Sequence, residues 1–216
     1  MLLIFDWDGT LSDSTSRIVS CLQQAAVSAG VQVLSDDAIR NIIGLGLPEA
    51  MECLYPDLSA DKKECVRQEY VRHFLLVDHE PSPFYPGVIE GLTRLRQKDF
   101  RMAVATGKSR RGLDRVLGRL KMQHFFDGTR CADETASKPN PLMLNELLAE
   151  FDLLPEKAIM VGDTEYDMDM ALQAGVHRVA VSYGAHHIDR LHPYQPVLSV
   201  DHFPNFVEWV VSSYSV

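Results

Sequence analysis

The chain has little that could cross-link a fold. Its four cysteines, Cys21, Cys53, Cys65 and Cys131, are widely and irregularly spaced with no CxxC pair, so neither a zinc site nor a disulfide framework is expected. They read as reduced thiols packed as small apolar groups. Long apolar runs are missing too. No stretch approaches the roughly 20 apolar residues that span a bilayer, and Asp6 interrupts the first apolar run too early for a signal peptide. A cytoplasmic protein with no membrane partner is expected. Positive charge is also short: 21 Lys and Arg stand against 30 Asp and Glu, a formal net charge of −9. Nucleic-acid binding needs a basic footprint, so no nucleic-acid partner is expected. An anionic small molecule is not excluded, because a local site can oppose the global field. No internal repeat or low-complexity tract is present.

What is there suits a globular chain of 216 residues, 46% hydrophobic and 24% charged, long enough for one core and a small second lobe. Apolar runs at Leu2–Phe5, Met102–Ala105 and Ala158–Val161, with weaker ones near Thr129–Ala132 and Val179–Val181, read as strands. Between them, Leu113, Val116, Leu117 and Leu120 follow helical spacing, as do Leu144, Leu147, Leu148 and Phe151. Val88, Leu92 and Leu95 mark another face behind Pro86 and Gly87, and NFVEWVV near the C-terminus reads as a packing helix. Strands apolar on both faces alternating with helices predict an α/β fold, a doubly wound parallel sheet covered on each side.

From Ser14 to Ser82 the alternation stops and only helical segments appear. Ile18, Leu22, Ala25, Ala26 and Ala29 form one face, and Leu47, Met51 and Leu54 another. The loop IGLGLPEA punctuates them, and the proline-rich HEPSPFYPG, from His79 to Gly87, reads as a return linker. A small all-helical domain over 14–82 is therefore expected, inserted into a core of 1–13 and 83–216.

The polar residues fall where the strands stop. FDWDGT follows the first run, ATGKS the second and VGDTEYD the fourth. In a parallel sheet these ends share the carboxyl edge, where open α/β folds bind ligands. Asp6, Asp8, Thr106, Asp163 and Asp167 would then share one crevice. Gathered carboxylates repel unless a cation sits among them, and oxygen-only ligands favour a hard cation, Mg²⁺ first. Lys138, in ASKPNP after the third strand, precedes Pro139, which biases it toward extended backbone and a fixed charge aimed into the site. A cation, an ammonium and a hydroxyl together make a phosphoryl site.

These residues resemble the haloacid dehalogenase superfamily of phosphotransferases over nearly the whole chain. FDWDGTLSDS looks like its first motif, Thr106 in VATGKS its second, Lys138 in SKPNP its third and GDTEYDM its fourth. The helical block is similar to the small cap of phosphoglycolate-phosphatase-like and β-phosphoglucomutase-like members. The resemblance implies a Rossmann-like core and Mg²⁺-dependent hydrolysis of a small-molecule phosphate ester by a monomer or weak homodimer. It makes Asp6 the nucleophile that becomes an aspartyl phosphate and Asp8 the general acid and base, held by Thr10. It places Mg²⁺ on Asp6, the Asp8 carbonyl and Asp163, with Asp167 holding a metal-bound water. Thr106, the Gly107 amide and Lys138 would grip the phosphoryl oxygens. Phosphoglycolate phosphatases usually read Asp-Leu-Asp where Trp7 stands and Thr-Asn-Lys where Thr106, Gly107 and Lys108 stand.

Competing readings are weaker. A nucleotide-binding P-loop needs a glycine where Met102 stands. A phospho-accepting signalling module would carry its aspartate after the third strand and lacks a helical insertion. A phosphomutase shares all four motifs and differs only in excluding water. Asp13 and Arg17 are candidate rim groups, Arg17 reading better as a solvated helix face. His186, His187 and His192 read as a surface loop rather than a metal cluster.

Overall fold

The four residues of the first strand, β1 (Leu2–Phe5), are all fully buried. A strand with no solvated face must lie inside a sheet covered on both sides. The computed structural model, which describes residues 1–77 and 81–214, places it there. The other strands are β2 (Arg101–Thr106), β3 (Gly128–Cys131), β4 (Ala158–Gly162), β5 (His177–Val181) and β6 (Leu198–Val200). All pair in parallel, in the order β3-β2-β1-β4-β5-β6.

Alternation along β1 divides the core. Leu3 and Phe5 point to one face, which α5 (Val88–Gln97), α6 (Arg110–Leu120) and α9 (Phe203–Tyr214) cover with Leu92, Leu95, Leu113, Phe206 and Val210. Leu2 and Ile4 point to the other, covered by α7 (Leu142–Glu150) and α8 (Glu165–Gln173) through Leu144, Leu147 and Met170. The expected doubly wound α/β architecture is therefore present. Two local readings differ. Phe151 is not in α7 but caps its C-terminus, and β6 has too short an apolar run to register as a strand.

The helices between β1 and α5 are α1 (Thr15–Ala29), α2 (Asp36–Arg40), α3 (Leu47–Leu54) and α4 (Ala60–Val77). They enclose their own apolar cluster, with Ile18, Leu22, Ala25, Ile39, Met51 and Val66 buried in it. Within α4 only Lys63 and Val66 are buried, so that helix has no clear apolar stripe to read. The chain passes between the layers by two segments lying side by side. The Asp13 amide donates to the Pro83 carbonyl at 2.8 Å, the Tyr85 amide donates to the Leu11 carbonyl at 3.0 Å, and Ser12 bridges Phe84 in antiparallel sense. Of the return linker read at His79–Gly87, His79 and Glu80 lie outside the described residues. Among the described residues no helix is long and apolar enough to cross a membrane.

Candidate active site

Register brings the motifs to one edge. Phe5 pairs with Val104 and with Val161, so the residues just beyond, Asp6, Thr106 and Asp163, emerge together. Asp6 keeps the parallel ladder going by donating its amide to the Val161 carbonyl at 3.0 Å. The side chains of Asp6, Thr106, Lys138, Asp163 and Asp167 are essentially sealed from solvent, and Asp8 is only 9% exposed. Trp7, between the two aspartates, turns into the core against Phe84 and Phe126.

Asp6, Asp163 and Asp167 each offer a carboxylate oxygen, and these atoms lie within 4.8 Å of one another. The Lys138 ammonium sits between two of them, 2.5 Å from Asp6 Oδ1 and 2.6 Å from Asp167 Oδ1. Asp167 has a second task. Its Oδ2 accepts from the Thr164 amide and hydroxyl while its own amide donates to the Thr164 hydroxyl, a reciprocal cap that starts α8. Asp163 accepts from the Thr10 hydroxyl and the Ala185 amide, both at 2.7 Å. Asp6 Oδ2 is different: it is buried with no hydrogen-bond partner among the described residues.

Three carboxylates against one ammonium leave this buried cluster short of positive charge. Burial raises the Asp6 pKa well above the ordinary carboxylate value, Asp167 and Asp163 add to the rise, and Lys138 opposes it. Burial and then Asp167 push Asp163 up to about 7, against the Ala185 and Thr10 hydrogen bonds. Burial works against the Lys138 charge, yet Asp167 and Asp6 outweigh it and hold that pKa above its usual place. The donor set is entirely oxygen. Gly9 and Gly184 leave the space open, since a Cβ at either would stand 2.2 Å from Asp163 Oδ2. These residues fit a hard divalent cation such as Mg²⁺.

A consequence follows for metal-free protein. The folded state keeps a proton on Asp163 between its ordinary 3.8 and about 7, where the unfolded chain has released it. Raising pH through that window therefore favours unfolding, by on the order of a few kcal/mol. The melting temperature in EDTA is expected to fall from pH 4 to 7, and Mg²⁺ is expected to raise Tm more at pH 8 than at pH 5. Asp163→Asn should flatten the EDTA slope; an unchanged slope in that variant would refute the assignment.

The structure corrects three expectations and supplies partners that motif reading did not. Thr10 holds Asp163, not Asp8, because Gly9, at φ +91°, turns the chain against the Asp163 side chain. Asp8 is held instead by the Ser14 hydroxyl, 2.6 Å from Oδ1, and the Lys108 ammonium, 2.8 Å from Oδ2. Lys108 stands in the same ATGKS stretch as Thr106, whose hydroxyl accepts from the Lys108 amide at 3.2 Å. Arg17 is partly buried and lines the central cavity rather than a solvated face, whereas Asp13 is exposed.

His186 is buried, not on a surface loop. Its Nδ1 accepts the Glu165 amide at 3.2 Å, which leaves Nε2 to carry the proton toward the Asn41 carbonyl at 3.2 Å. Burial, then Arg190, lowers its pKa and favours that neutral form. His187 and His192 are exposed and lie near Asp189. Among the described residues the three histidines form no metal-binding group.

The loop between α2 and α3 closes on this edge. The Gly46 amide donates to Ser137 Oγ at 2.7 Å, and a Cβ on Gly107 would meet the Leu45 carbonyl at 2.5 Å. The cavity so covered measures about 470 Å³ and includes Asp6, Asp8, Thr106, Gly107 and Lys108 in its wall.

A parallel sheet of this order, with an acidic cluster and a buried lysine at its carboxyl edge, defines an α/β protein with a polar site at its strand ends. The family model of haloacid dehalogenase-like hydrolases matches residues 3–181. The chain belongs to that family. It is 30% identical over 220 residues to a phosphoglycolate phosphatase of Vibrio cholerae, covering 98% of this chain and 97% of the relative. It is 33% identical over 210 residues to a protein of Dickeya dadantii named "Probable phosphatase IndB", covering 95% and 91%. A crystal structure described as a predicted phosphoglycolate phosphatase from Haemophilus somnus superposes with a TM-score of 0.87 at 22% identity, over 97% of each chain. At that identity the likeness concerns the fold.

Proposed function

We propose that the protein is a phosphatase that hydrolyses a small-molecule phosphate monoester through an aspartyl phosphate on Asp6, with Mg²⁺ as cofactor. One observation carries the reading most directly. Asp6 Oδ2 is a buried carboxylate oxygen without a partner among the described residues, and Asp6 lines a cavity whose wall includes Thr106 and Gly107. Leaving such an atom unpaired costs stability, and an enzyme retains that cost where the atom reacts. The phosphatase names of the relatives agree with it.

In this reading Asp6 Oδ2 attacks phosphorus, the ester P–O bond breaks, and Asp8 gives its proton to the departing alkoxide. Water then attacks the phosphorus of the aspartyl phosphate, Asp8 takes its proton, and the bond from phosphorus to Asp6 breaks to release phosphate. Ser14 and Lys108 orient Asp8 for both transfers. Thr106, the Gly107 amide and Lys138 hold the phosphoryl oxygens, and Lys138 is itself fixed by Asp167. Asp6, the Asp8 carbonyl and Asp163 would hold the metal, with Asp167 acting through a water. Bound Mg²⁺ supplies positive charge that keeps Asp6 ionised and eases the approach of one anion to another. Helices α1 to α4, residues 14–82, act as a cap over the core formed by 1–13 and 83–216.

The test is phosphate release from a panel of phosphate esters with and without Mg²⁺, followed by borohydride reduction of quenched enzyme. Metal-dependent release with a reduced residue at Asp6 is the expected result. Release without any label at Asp6 would remove the covalent mechanism, and isomerised sugar phosphates without release would replace the hydrolase with a mutase.

A further inference from the structure

We infer that the alcohol leaving from the phosphate ester is an extended apolar one bearing an aromatic ring, rather than a short carboxylic acid such as glycolate. This rests on the phosphatase reading above and names the substrate class of that site. The direction of departure comes first. With phosphorus held between Asp6, Thr106 and Lys138, the leaving oxygen must face its proton donor, Asp8. The surroundings of Asp8 therefore describe the alcohol.

Those surroundings are supplied by α4. The Lys108 ammonium that contacts Asp8 at 2.8 Å also stands 5.3 Å from the centre of the Phe74 ring. Tyr70 packs beside Phe74 with ring centres 5.7 Å apart, and both line the cavity. Beyond them the wall continues with Ile18 and Leu22 of α1 and with Val71 and Leu75. Val71 and Leu75 remain 37% and 38% exposed, apolar surface turned toward the site. Of the cations on this wall, Lys108 is engaged by Asp8 and Arg67 by a two-pronged pair with Glu64 at 2.6 Å, while Arg17, Arg111 and Arg115 line it as well. A second anionic group on the substrate would have to compete with Asp8 for Lys108 and with Glu64 for Arg67.

Size points the same way. A cavity of about 470 Å³ falls among pockets of roughly 300–1,000 Å³ that enclose drug-sized ligands. Phosphoglycolate, with two carbons beyond its phosphate, would leave most of that space to water against apolar walls. A ring there removes apolar surface on both sides from water, and aromatic partners add an edge or offset contact with Phe74 and Tyr70.

The experiment compares ethyl phosphate, 2-phenylethyl phosphate and phosphoglycolate with Mg²⁺ present. The first two leave as primary alkoxides, so their chemistry is matched and only the apolar body differs. We expect kcat/KM for the phenylethyl ester to exceed that for ethyl phosphate by about 100-fold or more. In Phe74→Ala, and independently in Leu75→Ser, that ratio should fall about tenfold, while Phe74→Leu should keep most of it. A ratio near one, a preference for phosphoglycolate, or a ratio unchanged in both folded variants would overturn the assignment and leave the phosphatase intact. Turnover of none of the three esters, nor of any in the wider panel, would overturn both.

Discussion

Asp6→Asn is expected to abolish turnover and, in metal-free protein at pH 8, to raise the melting temperature. Both follow from one carboxylate. Its unpaired Oδ2 is the proposed nucleophile, and an amide cannot form the acyl phosphate, so loss of activity should reach at least about 10⁴-fold. Stability moves the other way because the folded state disfavours the Asp6 anion: burial first, then Asp167 and Asp163, raise its pKa against the pull of Lys138. Asparagine removes that charge. Its carbonyl can still accept from Lys138, and its amide can donate toward the neighbouring carboxylates. A gain of about 1–2 kcal/mol is expected, read as a Tm rise of about 2–4 °C per kcal/mol for a chain of this size. A variant that melts below wild type in EDTA would show that Asp6 is not held at an energetic cost. Mg²⁺ should stabilise the variant less than wild type, because one metal oxygen has been replaced.

Lys138→Met should have the opposite effect on stability and the same effect on activity. The ammonium is completely buried, with carboxylates at 2.5 Å and 2.6 Å. Removing it leaves Asp6 and Asp167 without their shared cation, and breaking such a pair from one side costs about 3–5 kcal/mol. Asp167 also caps α8, so the start of that helix should loosen first. Protonating the orphaned carboxylates relieves their repulsion, so the loss should be largest at pH 8 and smaller at pH 5. Turnover should drop by about 10²–10³-fold or more, the scale for removing one donor from a developing charge. Adding Asp6→Asn to Lys138→Met should restore part of the stability and none of the activity. A restoration no larger than the gain from Asp6→Asn alone would mean that the two side chains do not interact as the 2.5 Å contact implies.

Much of this site was legible without coordinates. Leu2–Phe5 and Ala158–Val161 announce buried strands because an apolar run is a local property, and the acids at their ends reach one edge in any parallel sheet. Other features escaped for identifiable reasons. Three residues give β6 too little apolar signal. α4 buries only two side chains fully, so its periodicity is faint, although it supplies Tyr70 and Phe74 to the cavity. His186 looks like any histidine beside another in a loop, and its packing on Tyr166 and Asn41 is a tertiary contact.

The sequence alone therefore determined the layered α/β plan, the helical insertion after β1 and the set of polar groups at the carboxyl edge. Those depend on periodicity and on where apolar runs stop, which neighbouring residues encode. Only the tertiary structure decided the pairing within that set. Thr10 reaches Asp163 across 153 positions, while Asp8 takes Ser14 and Lys108 instead. Which oxygen stays unpaired, and what lines the space above it, depends on how loops and helices distant in the chain pack together, and a local pattern carries no record of that packing.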